Sequence, residues 1–111
     1  MLDLKAELNA LGIPFEPIGW IKAPAYPYGI FTDEANVRGT DLPSAPKMIT
    51  HNVSIEVYHN NYDQLMIARD QVAAWADSRA LTYRLRTLYM SDEDHYCVIL
   101  TSTFTEKKGM I

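Results

Sequence analysis

Few side chains in this sequence are suited to chemistry: one thiol, Cys97, three histidines, His51, His59 and His95, and scattered carboxylates. A nucleophilic cysteine needs an activated thiolate next to a base or in an electropositive setting. Cys97 lies instead in Tyr96-Cys97-Val98-Ile99-Leu100, an apolar run of strand type, where a thiol packs and stays protonated. His51 and His59 share the parity of an apolar strand face but stand eight residues apart. At ~3.3 Å per residue that is too far for two ligands of one ion. His95 follows Asp92, Glu93 and Asp94, the one dense group of metal-ligating types. A hard cation needs preorganised oxygens, so an acidic hairpin tip reads more plainly as a solvated turn. Asp33 and Glu34 are adjacent in an extended segment and point to opposite sides, which denies them a shared acid–base task. Arg84 and Arg86 share a face and suit either phosphate contacts or ion pairs with acids such as Glu56 or those of a neighbouring chain. No glycine-rich phosphate loop or dinucleotide fingerprint is present. The reading assigns no catalytic residue, no cofactor and no metal ligand.

The elements that must position these groups follow from periodicity. Leu2, Leu4, Leu8 and Leu11, with Asp3 and Glu7 early and Gly12 just beyond, predict a short amphipathic helix over 2–11. Ile13–Ile21 predicts a strand that Pro14 and Pro17 push to a sheet edge. Lys22–Pro27 is then expected to be the turn of a hairpin whose second strand spans 28–33, with Tyr28, Ile30 and Thr32 on one side and Phe31 on the other. Residues 34–47 carry Gly39, Pro43 and Pro46 among polar side chains and are expected to form a long arm. Ile49, Val53, Ile55 and Val57 alternate with Thr50, Asn52, Ser54 and Glu56, the clearest strand pattern in the chain. A helix is predicted over Tyr62–Asp77, its stripe formed by Tyr62, Leu65, Met66, Arg69, Val72, Ala73 and Ala76, with Trp75 at the core's margin. Two strands follow, Thr82–Met90 and His95–Thr105, joined by Ser91-Asp92-Glu93-Asp94, and the tail 106–111 has no pattern. The last strand is apolar on both faces over its first half, because Cys97 and Ile99 oppose Tyr96, Val98 and Leu100. One helical layer covers one face of a sheet, so the second face needs another cover. The order α-β-β-β-α-β-β predicts an α+β fold, a mostly antiparallel sheet of about five strands with two helices on one face.

Composition bounds the partners. A chain of 111 residues, 48% apolar and 22% charged, fits a single globular domain. A net charge of −4 argues against gripping nucleic acid through its phosphates. A single cysteine excludes an intramolecular disulfide and suits a reducing compartment. No apolar run approaches the ~18 residues of a membrane span. The N-terminal residues lack the layout of a signal peptide, so a cytosolic product is expected.

Three pieces together resemble a known family: Pro24, Pro27, Tyr28 and Phe31 in their spacing, the polar arm after them, and Val53-Ser54-Ile55-Glu56-Val57-Tyr58 followed by Asp63 and a helix. In this order they are similar to the tail-terminator and head–tail joining (tail completion) proteins of long-tailed bacteriophages. The likeness runs from the first helix to the last strand. It implies a structural virion protein, without catalytic residues, that forms a homo-oligomeric ring, commonly of six copies, at the head–tail junction. It further implies that the ring caps the tail tube, meets the head connector or adaptor protein, assembles in the host cytoplasm, and lets genomic DNA pass without sequence-specific binding or any membrane partner. Candidate interface residues are Asp33, Glu34, Asn36, Arg38 and Lys47 on the arm, Arg84 and Arg86, and Cys97 and Ile99 on the second face of the last strand. Two other classes compete with this reading. One is a monomeric module that binds a peptide or small ligand on Trp20, Tyr26 and Tyr28. The other is a small metal-dependent enzyme using Asp33, Glu34 and the Asp92–His95 cluster.

Overall fold

The computed structural model describes residues 3–17, 20, 22, 24–38 and 47–108. Helix α1 is Leu4–Asn9, capped by the Asp3 carboxylate, which accepts from the Ala6 amide at 3.1 Å. Six residues cannot hold a helix alone, and α1 is kept by burial of Leu4 and Leu8. Gly12, at φ +88°, turns the chain out of that helix towards β1, Phe15–Pro17. Strand β2 is Tyr28–Arg38 and β3 is Lys47–His59. Helix α2, Tyr62–Ser78, starts at Asn61, whose side chain accepts from the Gln64 amide. Strands β4, Tyr83–Met90, and β5, His95–Lys108, complete the chain. No helix among the described residues is long and apolar enough to cross a membrane.

The five strands form one sheet in the order β1-β2-β3-β5-β4. The expected α+β class and element order hold, with four corrections. First, β1 runs parallel to β2, Phe15 to Pro17 pairing with Gly29 to Phe31, so the predicted hairpin is absent and the chain returns before it enters β2. The prolines do keep β1 short and at the edge. Second, residues 34–38 belong to β2, paired antiparallel with Asn52 to Met48, and Lys47 begins β3. The rest of the expected arm, 39–46, lies outside the described residues. Third, β5 continues to Lys108 opposite Lys47, past the predicted end at Thr105. Fourth, α2 buries Leu65, Ala68, Val72, Trp75 and Ala76, whereas Tyr62 is exposed. The stripe is rotated from the predicted one, and Trp75 is inside the core.

Both helices lie on one face of the sheet. Their buried side chains meet Phe15, Phe31, Val53, Ile55, Val57, Val98 and Leu100 in one continuous core. One carboxylate joins the two helices. Glu7 accepts from the Trp75 indole at 2.9 Å and pairs with the Arg79 guanidinium. Under β2 the packing is close enough to require a glycine. A Cβ on Gly29 would fall 2.1 Å from Phe15 Cε1, inside the ring's own volume.

Candidate subunit interface

The register fixes which candidates share a surface. Across the face turned away from the helices run two rows, Ile30–Glu56–Ile99–Arg86 and Thr32–Ser54–Thr101–Arg84. A third row, Tyr28–Tyr58–Cys97–Leu88, lies beyond them. Arg84 and Arg86 are exposed on this face at the β4 edge, and neither has an ion-pair partner among the described residues. The expected Glu56 pairing does not form: β5 stands between β3 and β4, and Glu56 instead accepts the Tyr58 hydroxyl at 2.6 Å. Glu34, of the same parity as Ile30 and Thr32, is exposed near the far edge. Of Asn36, Arg38 and Lys47 only the backbone is described, as members of β2 and β3.

Asp33 occupies the opposite, helix-side face. His51 Nδ1 approaches its two carboxylate oxygens at 3.0 and 2.9 Å. The His51 ring stacks on Phe104 with centroids 4.8 Å apart. His51 is 6% exposed and Asp33 lies at the surface, so a buried imidazole meets a solvent-reached carboxylate at the sheet's outer end. The parity of His51 was readable in the sequence. Its partner was not, because the strand ending at Asp33 was expected to pair in a hairpin with 13–21 rather than along β3.

Cys97 and Ile99 share the second face of β5, but only Ile99 reaches the surface, half-buried between Glu56 and Arg86. Cys97 is 2% exposed. Its cover comes from the same chain. Tyr58 pairs directly with it, Tyr28 stacks on Tyr58 at 5.2 Å, and Tyr26 stacks on Tyr28 at 5.6 Å. Tyr26 also bonds His95 Nδ1 at 3.0 Å and lies edge-on to that imidazole. Burial, and then the nearby Glu56 charge, push the Cys97 thiol up to about 12, far from the activated range of a nucleophile. Burial and the bond to Glu56 likewise raise the Tyr58 hydroxyl. The first half of β5 is therefore two-faced, as its sequence says, with Tyr26, Tyr28 and Tyr58 closing over its His95–Cys97 end.

These contacts also bear on the two competing readings. Trp20 donates its indole N–H to the Gly29 carbonyl at 3.0 Å, and Tyr26 and Tyr28 are stacked within the cluster rather than arrayed as an open platform. His95 is 2% exposed, with Nε2 3.5 Å from a Glu93 oxygen, while Asp94 accepts from the Tyr89 hydroxyl. Asp33 is level with Val53 and Ser102, seven residues along β5 from His95 or roughly 23 Å, so it does not join that cluster. Among the described residues no three His, Cys, Asp or Glu side chains form a group able to hold a metal ion.

No family model matches the chain, and no curated protein sequence does. Among solved structures it is similar to a chain in the virion of a native gene transfer agent (GTA) particle. The two are 16% identical, with a TM-score of 0.57 over 97% of this chain and 89% of that chain. At that identity the likeness is one of fold.

Proposed function

We propose that this chain is a structural protein of a phage-like virion, acting as a ring of identical subunits at the head–tail junction. The observation that carries the reading is the end-to-end fold likeness to a virion component, 97% of one chain against 89% of the other. The proline-tyrosine strand and the strand–helix–hairpin half support the narrower assignment to tail completion, through their resemblance to tail-terminator and joining proteins. In this role six copies cap the tail tube and present a surface to the head connector or adaptor. Closing such a ring needs two different patches, one at each side of the subunit. The Arg84–Arg86 edge and the Glu34 edge are the two ends of the sheet. A net charge of −4 suits a passage through which DNA slides without adhering. Sedimentation of the purified chain, alone and with tail tubes, tests the role. A closed oligomer that stops tube growth is expected. A strict monomer at high concentration, with tubes present, would overturn it.

A further inference from the structure

The sheet has two open edges. On one side it ends in β4, and among the described residues no strand lies beyond Tyr83–Met90. On the other side β1 covers β2 only at Gly29 to Phe31, which among the described residues leaves Thr32–Arg38 without a strand on its outer side. Unpaired edges of this length recruit other strands unless something covers them. We propose that these edges are made for each other: β4 of one copy pairs antiparallel with residues 32–37 of the next. The inference rests on the ring reading above and names the contact that closes the ring.

Three observations select a second copy as the occupant. The lengths match, eight residues in β4 against the seven of β2 left open by β1. Direction matches too. Each pair in the series β2-β3-β5-β4 is antiparallel, so β2 and β4 of one chain run oppositely. A rotation about an axis near the strand direction brings copies together in the same sense and sets β4 antiparallel to the next β2. The charges are complementary as well. Arg84 and Arg86 are exposed on one edge without ion partners among the described residues, and Glu34 is exposed on the same face at the other.

One register satisfies all three. Glu34 opposite Arg86 places Thr32 opposite Leu88 and Ala35 opposite Leu85, and brings only Tyr89 and Met90, the last two residues of β4, level with positions that β1 already occupies. Moving β2 two residues one way brings Phe31, already paired with β1, opposite Thr87. Moving it two the other way sets Arg38 opposite Arg84. Within one chain Arg86 is level with Ile30, so placing Glu34 beside Arg86 offsets each copy by four residues. Four residues are ~13 Å along the strand and the four strands β2-β3-β5-β4 are ~19 Å across, which gives a strand tilt of about 35°. Closed barrels tilt their strands by roughly 35–45°, so this offset is of the kind that closure uses.

Cysteine pairs read the register directly, because directly opposed positions are within disulfide reach. The buried Cys97 is left in place. Oxidation of the Glu34→Cys/Arg86→Cys chain is expected to give a ladder of covalent multimers, and neither single substitution nor Glu34→Cys/Met90→Cys is expected to do so. Glu34→Arg or Arg86→Glu alone should lower assembly at least tenfold with unchanged circular dichroism, and the double reversal should restore it. If sedimentation shows rings but the 34–86 ladder is missing and the reversals are neutral, this pairing falls and the ring reading stands. If the unmodified chain remains single even beside tail tubes, the ring reading falls and this pairing falls with it.

Discussion

The tyrosine cover over Cys97 makes a quantitative prediction about thiol reactivity. An ordinary thiol at 9.0 that is pushed up to about 12 loses three decades of thiolate. At pH 8 that is about one molecule in ten thousand instead of one in ten. Because only the thiolate attacks a disulfide reagent, the folded chain should react about a thousandfold more slowly than the urea-unfolded chain. Tyr58→Ala removes the side chain packed directly on Cys97 and should recover much of that factor. Tyr26→Ala, which removes a 37%-exposed ring from the outside of the cluster, should recover less. Circular dichroism of each variant at the assay temperature separates uncovering from unfolding. The decisive control is dilution. Protection supplied within the chain is independent of concentration, whereas protection supplied by a neighbouring copy fades as copies separate. Wild-type labelling that speeds up towards the unfolded rate on dilution would refute the cover assigned to Tyr26, Tyr28 and Tyr58. The same shift has a pH consequence. An acid whose folded value is raised stabilises the fold fully below its unfolded value and loses that contribution as pH rises through the folded one. Cys97 should therefore contribute up to about 4 kcal/mol below pH 9, lost between pH 9 and about 12. Tyr58 adds a loss of the same sign above pH 10, so the Cys97→Ser variant isolates the thiol's share in alkaline unfolding curves.

Three further outcomes follow from the packing. Gly29→Ala drives a methyl into the Phe15 ring and should cost about 1–3 kcal/mol in chemical denaturation, with Phe15→Leu/Gly29→Ala losing less than the sum of its parts. Glu7→Ala leaves the partly buried Trp75 indole and the Arg79 guanidinium without their shared acceptor and should lower stability by about 1–3 kcal/mol in the same assay. Leu100→Glu places a carboxylate at a fully buried position and should abolish the native circular dichroism spectrum, whereas Ile99→Glu, at the half-buried neighbour facing the other way, should fold and fail to assemble. Equal collapse of the last two would show that both faces of β5 are interior to one subunit.

Periodicity carried most of this fold, and its failures have physical causes. Ile49, Val53, Ile55 and Val57 announce β3 because alternation against a buried face is a local signal. Strand direction is not local. Nothing in Phe15-Glu16-Pro17 distinguishes a parallel partner from an antiparallel one, so β1 was expected in a hairpin. Residues 34–38 read as loop because Glu, Ala and Asn are poor strand formers. They are extended because β3 offers them a matching ladder, an instance of pairing overriding intrinsic preference. For α2 the phase was misjudged by giving Tyr62 a core role, when Trp75 had the larger surface to bury and a carboxylate within reach of its N–H. At the candidate interface, the shared face of Arg84 and Arg86 was legible from spacing alone. The burial of Cys97 under Tyr26, Tyr28 and Tyr58 was not, since it depends on a turn folding back over a strand about seventy residues later in sequence.

The position of β5 in the sheet has a consequence for biosynthesis. It follows β4 in the chain yet sits between β3 and β4, so β4 has no partner, and β3 only β2, until the final segment arrives. A nascent chain that stops after Met90 presents the long flank of β3 bare, which is a template for aggregation. Loss of the last dozen described residues would therefore open a gap in the middle of the sheet instead of trimming its border. Premature termination here should yield insoluble material rather than a slightly shortened protein, and the completed chain should depend on chaperones until its last strand has slotted in.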